Sequence, residues 1–505
     1  MKTQFHLLYI AGSVAAALIA GIGIVIHAPF VYGVIPGIIG GLFAGMAAVQ
    51  FFRNREDLAG FIATTCGFVF YQAFQANPVI LPEFTAYIAV IPEQDQLVGI
   101  VLSNLTTAML LVSYHAVSKL FGRTIDRWLP KPAATTRKRC DGLMLIGFSL
   151  LFVIVALPNI LFGKVIVGPI QTIIYQRAAW SDASLSGYEV FGGAVGGSFS
   201  NVGLWAYSLF LVWLYLLGSR FRWLMWLLSP LVLIWTAAIA LQGSRTYLVT
   251  LAMALMVYVL GNPKIGRRVF FHFLWVAPLV FVLVQVSTIF RVSGLQTFDI
   301  GEFASHAFEI RGNEGASSEM DGIEYFRTEL FNRDIAPNPL TGFFRGLFER
   351  PIEGAMMILP RSVFPWKIDD KSAIEYDLFF ENVRLGVPSE EVFLGASPGM
   401  IGRELIHYGI LGPFTLLFWM GLIMALANRL FVADPNSDFH RICAASLVAF
   451  FIAQSRDFVP VWFIPVLPVA LILTGVALRS RKWNKVTAIV SRPREGFPAQ
   501  PSHGK

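Results

Sequence analysis

Residues 219–246 read SRFRWLMWLLSPLVLIWTAAIALQGSRT, and their pattern of charge decides the fold. Arg220 and Arg222 precede the uncharged, mostly apolar run 223–242, and Gly243-Ser244 then leads to a lone Arg245. A bilayer-spanning helix needs ~20 such residues. The pattern recurs along the chain, placing spans at 7–26, 30–52, 58–76, 97–118, 143–162, 204–218, 223–242, 246–260, 269–290, 408–428, 442–454 and 459–478. No Lys, Arg, Asp or Glu falls inside any of them. The runs 204–218, 246–260 and 442–454 are short for ~30 Å of hydrocarbon, so re-entrant pieces or shifted boundaries are allowed there.

Charge sorts the connections between these runs into two sets. One set holds 24 Lys/Arg against 7 Asp/Glu, and the alternate set holds 15 against 25. Cytoplasmic loops are rich in Lys/Arg, so the first set is expected inside and the second outside, with both termini cytoplasmic. The net charge of +7 is then the sum of a basic inner face and an acidic outer one, and it carries no nucleic-acid signal. Only 14% of residues are charged and 55% are hydrophobic, whereas a soluble domain carries roughly 25% charged residues. Cys66 and Cys443 fall within spans and Cys140 on a cytoplasmic connection, so no external disulfide framework is expected. The first apolar run lacks a small-residue cleavage site and reads as a retained helix.

The expected fold is an all-α polytopic integral membrane protein with about twelve transmembrane helices. Residues 1–290 hold the first nine, with an outer loop at 163–203. Residues 291–407 form a large, mostly helical outer loop with 11 basic and 19 acidic side chains, because so long a structureless connection is improbable. Residues 408–478 hold the last three spans, and 479–505 a basic, Pro-containing disordered tail. Within the large loop, Pro339–Met357, with Phe343, Phe344, Leu347, Phe348, Ile352 and Met356, is amphipathic enough to rest on a bilayer surface.

The residues to explain are arginines on the outer side. Arg245 sits at headgroup depth after a tight Gly-Ser turn. An isolated arginine there is expensive unless it meets an anion, and its planar fork suits phosphate oxygens. Arg291 opens the large loop, Arg361 lies within it, and Arg456 stands in the last outer turn beside Asp457. At the loop's other end, Gly402-Arg403-Glu404-Leu405-Ile406-His407-Tyr408 would, as a helix, stack Arg403 over His407 and Glu404 over Tyr408. A cation, a proton-transfer group and a carboxylate would then stand at the mouth of the next span. The chain has no P-loop, no Gly-x-Gly-x-x-Gly, no H-E-x-x-H and no Asp-x-Asp. Neither a metal nor a cofactor is expected, since arginines can neutralise a leaving diphosphate instead.

The stretch Gly243–Leu411 resembles the bacterial oligosaccharide repeat-unit polymerases of the Wzy type, which build O-antigen, capsule or exopolysaccharide. The resemblance rests on Gly243-Ser244-Arg245, on Pro360-Arg361-Ser362-Val363-Phe364-Pro365-Trp366-Lys367, and on Gly402-Arg403-Glu404 running into Tyr408-Gly409-Ile410-Leu411-Gly412. It implies a glycosyltransferase C-like membrane fold in the bacterial inner membrane and an inverting glycosyltransferase acting at its periplasmic face. Donor and acceptor would both be glycans on undecaprenyl diphosphate. Arg245, Arg291, Arg361, Arg403 and Arg456 would bind the diphosphate, and His407 or Glu404 would serve as the base. Membrane lipid, a flippase and a chain-length regulator are the implied partners, and nucleic acid is not among them. An O-antigen ligase shares most of these features. A non-enzymatic transporter of lipid-linked sugars would instead show Lys, Arg, Asp or Glu within the spans and internal repeats, and the sequence has neither.

Overall fold

The computed structural model describes residues 2–54, 56–72, 88–128, 222–241, 245–260, 316–350, 399–433 and 438–456, with isolated positions at 75, 79, 210, 212–214, 216, 352 and 379. Among the described residues the elements are all helical, with no strand. This follows when each apolar segment must satisfy its own backbone donors and acceptors. In chain order they are α1 (Lys2–Val25), α2 (Ile35–Asn54), α3 (Leu58–Gly67), α4 (Glu93–Trp128), α5 (Arg222–Leu241), α6 (Arg245–Leu260), α7 (Ala316–Tyr325), α8 (Pro339–Phe344), α9 (Met400–Tyr408), α10 (Gly412–Ala433) and α11 (Asp438–Arg456). A π-helical turn leads into α2, and others extend α3, α7 and α8.

Three stretches are long and apolar enough to cross a membrane: Gln4–Val25, Phe30–Asn54 and Gly412–Ala433. A fourth candidate is α4, bent by 44° between Thr106 and Ala108. At 1.5 Å per residue its 36 residues reach about 54 Å, well beyond a ~30 Å hydrocarbon core. The bend has a local cause. Ser103 Oγ, Asn104 Nδ2 and Thr106 Oγ1 all donate to carbonyls one turn back, at Gly99, Ile100 and Leu102, and such back-bonding bends helices. Leu18 and Ile22 on α1, and Ile38, Leu42 and Met46 on α2, point outward. That outward apolar surface is what lipid contact requires and what a water-facing helix avoids. The expected spans at 143–162, 269–290 and 459–478, most of 204–218, the loop 163–203 and the tail 479–505 lie outside the described residues.

The core packs α3 and α4 against α10 and α11, through Leu58, Leu110, Leu111, Leu416, Met420, Leu447 and Val448. One end of this bundle is basic. There Arg53 ends α2, Arg123 and Arg127 lie near the end of α4, and Arg429 of α10 pairs with Asp126. The start of α1 reaches the same end, where His6 meets Asp57 and His115, each at 2.7 Å. Asn428 Oδ1 accepts from Leu58 N–H there at 3.0 Å.

The described part of the large insertion sits at the opposite end. Met320 of α7 packs on Gly99 near the start of α4. Arg327, just past α7, makes a forked pair with Asp95 at 2.9 and 2.7 Å. Its hydrogen bonds to Asp95 raise the guanidinium pKa above the ordinary value, against a smaller opposing push from burial. A forked pair of this kind fixes orientation as well as distance. The described part of the insertion is therefore held on the bundle end through α7 and Arg327.

One boundary differs from the expected one. The span expected from Tyr408 begins instead at Gly412, because Gly409 adopts φ +70° and turns the chain between α9 and α10. Hydropathy cannot register that turn, since Ile410 and Leu411 are themselves apolar.

Candidate functional site

Helix α9 carries Arg403, Glu404 and His407, and two other elements fix it in place. Its first residue follows Gly399, whose φ of +75° leaves no room for a side chain, as a Cβ there would lie 2.5 Å from the Glu319 carboxyl carbon. The open N–H groups of the first turn are met from outside the helix. Glu319 of α7 accepts from Ile401 N–H at 3.0 Å and from Gly402 N–H at 2.9 Å. A carboxylate at this position satisfies orphan donors and complements the positive end of the helix dipole. Gly402 lies directly on Gly322, and a Cβ there would come 2.8 Å from the Gly322 Cα.

Gly402→Val is therefore expected to force α7 and α9 apart. Overpacking of this kind destabilises by about 1–3 kcal/mol, read as a lowered unfolding temperature of the detergent-purified protein. Gly402→Ala should lose less than Gly402→Val, and equal losses would place the strain elsewhere.

The third element is the segment that begins with α8. Its positions 342, 346 and 350 face the bundle. Gly342 packs on the Tyr408 carbonyl and Gly346 on the Thr415 side chain, both approaches too close for a Cβ. Arg350, one turn further on, is fully buried and ion-pairs with Glu404, which is 1% exposed. The guanidinium carbon also lies 4.7 Å from the centre of the Tyr408 ring, in cation–π range. Arg350 thus joins Glu404 and Tyr408, which α9 places one turn apart.

Arg403 is buried as well, and His407, one turn along the same face, is half-buried. Asp321 and Glu324 of α7 are also buried. Four carboxylates (Glu319, Asp321, Glu324 and Glu404) and two guanidiniums (Arg350 and Arg403) are thus withdrawn from solvent on α7, on α9 and at the end of the segment that follows α8. A charge in such a place persists only with a partner, since removing one member of a buried pair leaves the other uncompensated. Among the described residues no group of three or more His, Cys, Asp and Glu side chains is placed to hold a metal ion.

The expected site residues divide as follows. Arg403, Glu404 and His407 share α9, with the spacing the sequence implied. Arg245 opens α6 and Arg456 closes α11. These helices pack antiparallel, since Arg441 near the start of α11 lies over Tyr258 near the end of α6, 5.4 Å from its ring centre. Four residues separate the start of α11 from the end of α10, which is the basic end of the bundle. The backbones at 245 and 456 therefore stand at the end that carries α9. Arg291 and Arg361 lie outside the described residues.

Sequence reasoning missed Arg350 and Glu319. Arg350 did leave a signal: Gly342, Gly346 and Arg350 recur every fourth residue, a small-residue stripe that lets a backbone approach closely and ends in a charge. Glu319 left none, because its role depends on α7 lying beside α9. No protein family model, no curated protein and no solved structure matches this chain.

Proposed function

We propose that this protein is an inverting glycosyltransferase that polymerises undecaprenyl-diphosphate-linked oligosaccharide repeat units at the periplasmic face of the bacterial inner membrane. The reading takes the chain to have about twelve spans, the basic end of the bundle to be cytoplasmic, and the α7–α9 end to be periplasmic. One observation carries most weight. A proton-accepting imidazole, His407, shares a short helix with a charge cluster at the acidic end of an apolar bundle, and three of the expected arginines end helices or stand there.

The chemistry needs three things from the chain. The acceptor sugar hydroxyl must lose its proton, and half-buried His407 is the accessible base, while Glu404 is committed to Arg350. The freed oxygen attacks the anomeric carbon of the donor and forms the new glycosidic bond. The bond from that carbon to the phosphate oxygen breaks, and undecaprenyl diphosphate leaves with the electron pair and its negative charge. Arg245, Arg403 and Arg456, with Arg291 and Arg361, are the cations assigned to that charge, which grows as the bond breaks. The Arg350–Glu404–Tyr408 unit fixes the α9 backbone that holds His407.

Arg245→Ala is expected to abolish polymer while the protein still inserts and accumulates in the membrane. Arg245→Lys should rescue poorly, because a point charge cannot fork onto two oxygens. Full activity in both variants would remove Arg245 from the donor site. The class of reaction is tested in a deletion strain. Loss of long sugar chains, with single repeat units still attached to their final acceptor, is the expected result. Loss of all attachment would assign a ligase instead, and unchanged chains would overturn the reading.

A further inference from the structure

The segment that carries Arg350 has its faces reversed relative to a helix in water. Asn338 starts it, its Oδ1 accepting from Leu340 N–H at 3.1 Å, and α8 continues through a π-helical turn at Arg345–Glu349. The face turned to the bundle is Gly342, Gly346 and Arg350, two small residues and a charge. The face turned away is Leu340, Phe344, Phe348 and Ile352, and each of these side chains is between 56% and 66% exposed. The rings of Phe344 and Phe348 stack with centroids 6.4 Å apart. An amphipathic surface helix normally buries its apolar stripe against the protein. Here that stripe points outward along the whole length.

We infer that the outward stripe of Leu340, Phe344, Phe348 and Ile352 is an interfacial anchor covered by the acyl chains of bilayer lipid. Continuity identifies the occupant. The glycine contacts lay the segment along Tyr408 and Thr415, beside the outward-facing Ile410 and Phe414. Phe414 belongs to α10, one of the helices long and apolar enough to cross a membrane. The stripe therefore extends an apolar outer surface that already begins on a spanning helix. Arg345 and Glu349 flank it as a half-exposed pair at 2.8 Å, placed to reach headgroups while their stems lie along the apolar face. The sugar chemistry proposed above is not needed for this inference. It requires only that α10 cross a bilayer.

Spin labels at Phe344→Cys and Phe348→Cys test it, in the full-length protein with Cys66, Cys140 and Cys443 replaced by alanine. The protein is reconstituted in phosphatidylethanolamine–phosphatidylglycerol vesicles, with a control label at exposed Asn332→Cys. Relaxation by oxygen should exceed relaxation by a water-soluble nickel chelate at 344 and 348, with the order reversed at 332. Dominant nickel relaxation at 344 and 348 would mean that the stripe faces water and would overturn the inference. Exclusion of both reagents would overturn it too, since protein, such as a second copy of the chain, would then cover the stripe. A native-like elution profile before reconstitution separates either outcome from misfolding.

Discussion

Arg350→Met alone is expected to destabilise the protein more than Arg350→Met combined with Glu404→Leu. The single change strands a carboxylate that is 1% exposed, and breaking a buried pair from one side typically costs about 3–5 kcal/mol. Replacing both members with apolar side chains of similar volume removes the stranded charge, and such replacements are often neutral or even stabilising. The ordering, single worse than double, can be read from thermal unfolding of the detergent-purified variants. Equal losses would show that the cation–π contact of the Arg350 guanidinium with Tyr408, rather than the charge pair, holds this segment to α9. Under the proposed function the double variant should regain stability without regaining polymer, because the unit that orients α9 has been rebuilt without its directional bonds.

His407→Ala is expected to lower the polymerisation rate by roughly 10²–10⁴-fold, the contribution of a positioned general base, with little change in unfolding temperature. The side chain is half-buried, is not a member of the Arg350–Glu404 ion pair, and meets the Tyr408 ring only at a centroid separation of 6.1 Å, so its loss leaves that ion pair in place. The measurement is the rate at which lipid-linked repeat units lengthen in membranes containing each variant. A loss of this size in His407→Ala with normal stability identifies the base. Unchanged rates would move that role to Glu404, whose pairing would then have to open during the reaction.

The all-helical character of the described residues and three of the long apolar helices were legible in the sequence because their causes are local. A run such as 7–26 or 30–52 excludes charge over a whole bilayer thickness, and the helices Gln4–Val25 and Phe30–Asn54 follow within a few residues. The separation of basic from acidic connections also has a counterpart in the structure. Arg53, Arg127 and Arg429 gather at one end of the bundle, and the described part of the large insertion at the other. The pairing of Arg403 with His407 and of Glu404 with Tyr408 was readable because 3.6-residue periodicity is a property of the chain alone. The start of α10 was not readable, since Gly409 ends α9 by a dihedral choice that apolar neighbours conceal.

The sequence by itself therefore determined that this is a helical, apolar chain with sided charge, and it placed Arg403, Glu404 and His407 on one helix. Only the tertiary structure decided which of those groups are committed. Glu404 lies 54 positions from Arg350, and Glu319 lies 82 from the Ile401 amide it caps. Contacts at that range are selected by how the helices pack, through close approaches such as Gly342 on Tyr408 and Gly402 on Gly322. Local periodicity specifies a face, but a partner exists only once another helix has been brought against it.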